Sequence, residues 1–306
     1  MKIAEKQIVI GVDIGGTKIM AGAVADGGRT LGEPVTVATG GNDDGEKIIG
    51  RITGSIRSAI GNSGLSLKDI KGIGLGVTGP VDSKTGRILE CPQLPTLHDY
   101  PLRDTIHNEF GLPVYMDNDA NALVLGESLW GAGKGCRVVL GYTLGTGLGC
   151  ALVIDRKLFM GAHGMAGEIW PSPWEEGTIE DVVSGSGTSA IYRRLSNQSR
   201  SAKEIAKLAD EGDVHAVETW KIFGNTLAKA IAWGINMFDP NIVVLGGSMV
   251  NSMHLFSIAM EETLRRHICP VPAKKTRVVN AAFDDEAGFI GAAALAIRES
   301  LSKPGK

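Results

Sequence analysis

The sequence predicts an α/β protein built from two duplicated α/β units facing each other across a cleft. Three observations predict it. Short β-branched runs alternate with helical patterns along the chain, as when helices cover a mostly parallel sheet. Two segments, IVIGVDIGGTKIMAGAVA (8–25) and RVVLGYTLGTGLGCALVI (137–154), both read as strand, glycine turn, strand. They lie roughly 130 residues apart, about one domain length. Finally, polar side chains crowd the C-terminal ends of apolar strands, where α/β folds build their sites.

Taken in order, IVIGV is a β-branched run that forms a buried strand over 8–13. Asp13 ends it with a carboxylate, Gly15 and Gly16 permit a tight turn whose N–H groups approach an anion, and IMAGAVA returns as a strand over 18–24. Further strands are expected over 31–37, 72–77 and 113–117, with helices over 45–61, 101–110 and 119–131. A second set of strands covers 136–143, 148–154, 242–246 and 276–280. Helices cover 187–195, 201–211, 214–237, 252–267 and 286–300. Aligned on their glycines, the two hairpins set Asp13 opposite Thr143 and Gly15 opposite Gly145. Each unit then presents a glycine turn to one nucleotide.

Composition bounds the function. The chain has 306 residues, 43% hydrophobic and 21% charged, with a net charge of -3 that argues against a nucleic-acid surface. Cys91, Cys136, Cys150 and Cys269 are scattered without CxxC spacing, so they read as neither a zinc site nor a disulfide framework. MKIAEKQIVIG lacks a signal-peptide apolar region, and no apolar run reaches membrane-spanning length. These features lead us to expect a soluble, reduced, cytoplasmic protein that acts on neither membrane nor nucleic acid.

Other glycine signals sort by context. GLGVTG (74–79) matches a dinucleotide fingerprint but runs into Pro80, Val81 and Asp82 instead of a helix, so a Rossmann site is discarded. No P-loop pattern occurs. LGTGLG (144–149) sets Thr146 between Gly145 and Gly147 in a hairpin turn suited to phosphate. VVLGGSM (243–249) reads either as a bend where a flat ring packs on Gly246 and Gly247 or as a plain strand-to-helix turn. In PVYMDNDANALVLGE, Asp117, Asn118, Asp119 and Asn121 crowd a strand-to-helix junction; Asn118 or Asp119 could cap the helix. A carboxylate there can also take a proton from an attacking hydroxyl, with Asn118 holding a neighbouring one. Glu168 and Glu180 are further acceptors that could hold sugar hydroxyls, although each alone also reads as a surface glutamate.

The motifs DIGGTK (13–18), GVTGPVD (76–82), DNDANALVLGE (117–127), LGTGLG (144–149), GMAGEIW (164–170), EDVVSG (180–185) and DPNIVVLGGS (239–248) occur in that order. Together they resemble the ROK sugar kinases of the actin-like, ribonuclease H-like and hexokinase-like ATPase superfamily. The resemblance implies a small N-terminal domain, 1–118 plus a C-terminal helix over about 286–306, and a larger domain over 119–285. It implies ATP-dependent phosphorylation of a hexose, usually at the 6-hydroxyl. Asp119 would be the catalytic base, with Gly79, Asn118, Asp119, Glu168 and Glu180 binding the sugar. Asp13 would organise Mg2+ through water. Gly15, Gly16, Thr17, Lys18, Gly145, Thr146 and Gly147 would cradle phosphates, and Gly246 and Gly247 would flank the adenosine. A homodimer is implied as well.

Three departures stand out. Glu168 is followed by Ile169, Trp170 and Pro171, so the family's sugar-contacting, zinc-ligating histidine is missing. PSPWEEGT (171–178) replaces the cysteine-rich zinc loop, and His163 alone is poor evidence for a metal, so no zinc is expected. Gln93 stands where Asn is usual. Trp170 and Trp174 are expected to stiffen the loop by packing or to stack on a sugar face. The alternatives are an amino- or N-acyl-hexosamine kinase, a kinase also accepting polyphosphate, and a non-catalytic sugar-sensing protein. With the first strand starting near residue 8, an N-terminal DNA-binding module is not expected.

Overall fold

β1 (Ile8–Ile14) is a central strand, and everything around it follows from its burial on both faces. The computed structural model describes residues 7–89 and 91–302. β2 (Lys18–Ala25) and β3 (Arg29–Ala38) follow antiparallel to it and to each other. α1 (Gly45–Asn62) buries Ile48, Ile52, Ile56 and Ile60, a four-residue stripe on one face, and Asp44 caps its N-terminus. β4 (Ile73–Val77) is buried at every residue and lies parallel to β1. A short hairpin, β5 (Val81–Asp82) and β6 (Arg87–Ile88), precedes α2 (Leu102–Phe110), β7 (Val114–Asn118) and α3 (Asp119–Leu129). The sheet order is β3-β2-β1-β4-β7.

The second sheet repeats that plan. β8 (Val138–Leu144) and β9 (Leu148–Ile154) form its hairpin, with β10 (Lys157–Leu158) at the edge. β11 (Pro173–Trp174) and β12 (Gly177–Thr178) make a separate two-stranded ribbon. α4 (Gly185–Ser196), α5 (Ala202–Asp210) and α6 (Val214–Phe238) lead to β13 (Ile242–Gly246). α7 (Met253–His267), α8 (Pro270–Lys275) and β14 (Arg277–Asn280) complete it. The order β10-β9-β8-β13-β14 matches the first sheet strand for strand, with two antiparallel pairings followed by two parallel ones. Its core packs Trp220, Phe223 and Phe256 with ring centroids 5.0–5.9 Å apart.

α9 (Ala287–Ser302) returns to the first sheet. It lies so close that a β-carbon at Gly11 would overlap the carbonyl of Phe289, and one at Gly74 that of Ala292. α3 meets α9 the same way, since a β-carbon at Gly126 would sit 2.7 Å from the Cα of Gly291. This packing moves the division of the chain. One unit runs to Gly135 and resumes at Ala282; the other is Cys136–Ala281. The expected boundary after residue 118 therefore falls too early, because α3 is locked to α9. The two short hairpins and α8 have no sequence counterpart above, since two-residue strands carry too little periodicity to read.

Candidate active site

The first unit gathers its polar residues where β1, β4 and β7 end. Asp13 pairs in register with Gly76, and Gly76 with Asp117, so the backbones of the two aspartates stand two strand spacings, about 10 Å, apart. Part of Asp13 reaches solvent, yet the protein around it removes enough water to push its pKa up to about 6, with Lys18 opposing the shift. A β-carbon at Gly288 in α9 would collide with its carboxylate. The turn after β1 is braced: Gly15 N–H donates to the Lys18 carbonyl (3.0 Å), the Thr39 hydroxyl to the Gly15 carbonyl (2.7 Å), and Thr39 N–H to the Thr17 carbonyl (2.9 Å). A β-carbon at Gly16 would stand 2.6 Å from Gln93 Cβ, so Gln93 seals the turn from one side. Thr17 and Lys18 are exposed.

At the end of β7, Asn118 is the helix cap: its Oδ1 accepts from Ala120 N–H (2.8 Å), and its Nδ2 donates to the Gly79 carbonyl (3.1 Å). Asp119 is half-buried and also accepts from Ala120 N–H (2.8 Å). Asp117 turns inward, accepting from Asn118 N–H and Asn121 Nδ2 (both 2.8 Å), and burial raises its pKa. Gly79 has φ +85 and rests on Cys91. Burial raises the Cys91 pKa, and the nearby charge of Asp119 adds to the shift.

The second unit builds a glycine turn braced by a carboxylate. Gly145 N–H donates to the Gly147 carbonyl (3.1 Å), and Gly185 N–H, opening α4, donates to the Gly145 carbonyl (2.8 Å). Glu180, expected among the sugar ligands, spends one oxygen on Leu148 N–H (2.8 Å), and a β-carbon at Gly147 would press on it. Ser184 caps α4 by accepting from Gly187 N–H (3.0 Å). Gly247 has φ +88, and a β-carbon there would overlap the Leu144 carbonyl, so only glycine fits beside the turn. Gly246 pairs with Thr143. Gly145, Thr146, Gly147, Glu180, Gly246 and Gly247 are thus brought together, and Ser184–Gly185 joins them. The S-G-S-G run after Val183 was the signal that could have revealed this helix start.

Glu168 lies on a loop against β9, where its charge adds to the burial that lifts the Cys150 pKa to about 12. Trp170 Nε1 donates to Glu168 Oε2 (2.9 Å). Trp174 packs on the core, with its ring 5.9 Å from Trp233 and Lys229 Nζ 4.8 Å above it. Among the described residues no group of three or more His, Cys, Asp or Glu side chains could hold a metal ion.

The family model for the ROK family matches residues 9–299. The chain belongs to the ROK family. A ROK family glucokinase from Streptomyces griseus, solved in complex with glucose and AMPPNP, matches with a TM-score of 0.83 at 30% identity, covering 95% of this chain and 99% of that one. A glucokinase from Thermotoga maritima is 29% identical over 96% of this chain and 98% of its own length. An N-acetyl-D-glucosamine kinase from Photobacterium profundum is 32% identical over 94% and 99%. The fold is that of ROK proteins; a ROK hexokinase from Thermus thermophilus matches with a TM-score of 0.84 at 29% identity, covering 97% of this chain and 100% of that one. No helix among the described residues is long and apolar enough to cross a membrane.

Proposed function

We propose that this ROK protein transfers the γ-phosphoryl group of ATP to a hexose hydroxyl, in the first instance the 6-hydroxyl of glucose, by direct in-line displacement. The observation that carries the reading is Asp119 at the end of β7, two strands from the Asp13 hairpin, in the unit that also holds Gly79 and Asn118. Asp119 accepts the proton of the attacking hydroxyl, and its carboxylate is oriented by Ala120 N–H, which donates to Oδ1. Asn118 Nδ2 uses one N–H on Gly79 and offers the second to a neighbouring sugar hydroxyl. Glu168, steadied by Trp170, and the second oxygen of Glu180 accept from further hydroxyls. Gly15, Gly16, Thr17 and Lys18 in one unit, and Gly145, Thr146 and Gly147 in the other, each form a turn suited to phosphate; the Gly15 and Gly145 N–H groups brace the turns, and hydroxyls, other amides and one cation serve the anion. Gly246 and Gly247 offer flat backbone to the adenosine.

Asp13 fits a divalent cation. Burial disfavours its charged form, and Lys18 offsets that only in part, so a cation would restore what hydration no longer supplies. Magnesium, when bound there, neutralises charge on the phosphoryl group being transferred. Asp13 would hold it, through water.

Relatives that act on N-acetyl-D-glucosamine favour a second reading, an N-acyl-hexosamine as acceptor. A coupled ADP-release screen over glucose, mannose, fructose, glucosamine and N-acetylated hexosamines distinguishes the two. Turnover greatest with glucose supports the first reading, and turnover greatest with an N-acetylated sugar the second. ATP hydrolysis indifferent to every sugar refutes both.

A further inference from the structure

We propose that Glu127 is a positioning residue for the transfer, its carboxylate pinning both connections through which the chain passes between the two units and so coupling sugar binding to nucleotide binding. The proposal rests on the kinase reading above.

Glu127 lies in the last turns of α3 and is fully buried. Its Oε2 accepts from Ala132 N–H (2.7 Å), on the segment that leads out of the first unit. Its Oε1 accepts from Ala282 N–H (2.8 Å) and Phe283 N–H (3.2 Å), on the segment that leads back in. Its own carbonyl accepts from Gly131 (3.1 Å) and Gly133 (3.0 Å), so the departing chain curls around this one residue. The fit is close: a β-carbon at Gly131 would overlap Oε2. Just beyond the anchored stretch comes Gly135, at φ +82, before the crossing to Cys136.

The return is tighter still. Ala281 N–H donates to the Leu245 carbonyl inside the second unit (2.8 Å), and the very next N–H, that of Ala282, donates to Glu127. One peptide therefore separates a bond to one unit from a bond to the other. A carboxylate suits the task because it only accepts, and three backbone N–H groups converge on it with none of its own to oppose them. Closing a helix end alone requires no buried charge, whereas fixing two segments remote in sequence at one point defines where backbone torsions can and cannot change.

Two variants test it. Glu127→Gln turns one accepting oxygen into a donor that faces a backbone N–H. Gly131→Ala pushes the outgoing segment off Oε2 while leaving the charge in place. Circular dichroism and thermal unfolding first establish that each is folded. Calorimetric binding of AMPPNP is then measured with and without glucose, beside kcat and KM. In the unaltered chain glucose should tighten AMPPNP binding by a factor within about 5–150. In both variants that tightening should vanish, glucose alone should still bind, and kcat should fall by about 10²-fold, as for a small misplacement of reacting groups. A folded variant with lowered thermal stability but unchanged coupling and kcat overturns the proposal. If the unaltered chain releases no ADP with any hexose, the kinase reading itself fails and the proposal falls with it.

Discussion

The hairpin turn after β1 and the one after β8 occupy equivalent places in sheets of the same strand order, yet they are finished differently. The first follows a carboxylate, Asp13, that burial has made reluctant to ionise, and it is braced by Thr39 and Gln93. The second follows the neutral Thr143, and its bracing comes from Glu180 and the start of α4. Duplication thus preserved the backbone solution while the charges diverged. An anion can meet the amides of the second turn directly. At the first turn it would face Asp13 and would need a cation between them, whereas the carboxylate beside the second turn, Glu180, already accepts from Leu148 N–H.

Substitutions on each side can break or sharpen that division. The largest effect belongs to Asp119. Asp119→Asn should lower kcat by roughly 10²–10⁴ while leaving sugar binding nearly intact, seen as ADP release set against calorimetric affinity. Near-normal turnover would return the chemistry to some other group.

Asp13→Asn should follow, with turnover lost by several kcal/mol of barrier and the dependence on magnesium flattened. The same variant carries a stability signature. Below the ordinary value of 3.8 Asp13 is protonated folded or unfolded and costs nothing. As pH rises toward about 6 the unfolded chain ionises first, so stability falls, and above that the full cost remains. Asp13→Asn should therefore gain about 1–3 kcal/mol above pH 6, discounted for the exposed part of the side chain, and nothing near pH 3.5. Thermal unfolding in ligand-free buffer across that range checks it.

Glu180→Ala leaves Leu148 N–H without its acceptor and loosens the second turn. The cost is about 1–3 kcal/mol, read as a nucleotide KM raised by about 10-fold or more, with a smaller change in kcat. A raised sugar KM with an unchanged nucleotide KM would show that Glu180 holds the sugar without supporting the second turn's grip on the nucleotide. The smallest effect should be that of Trp174→Ala, which removes a ring pair and a cation above it, about 1 kcal/mol in thermal unfolding and a few-fold in sugar KM.

Much of the fold was legible because it is written locally. The β-branched run before Asp13, the glycine echo at Gly145 and the polar crowd at Asn118 each need only neighbours in sequence. What escaped was set by distance along the chain. Glu180 meets Leu148 across 32 residues and Glu127 meets Ala282 across 155, and neither pairing leaves a local pattern. Asn118 was legible only by halves: capping and substrate holding were both open, and its Oδ1 caps while its Nδ2 reaches Gly79. The loop after Glu168 was hardest, because Trp174 is fixed by Lys229 and Trp233 on α6.

The most direct measurement of the central claim is ADP release by the unaltered chain with magnesium and ATP, recorded with and without each hexose of the panel. The account predicts release that depends on a hexose and is abolished in Asp119→Asn. Sugar-independent ATP turnover, or none with any sugar although glucose and AMPPNP both bind, would contradict it.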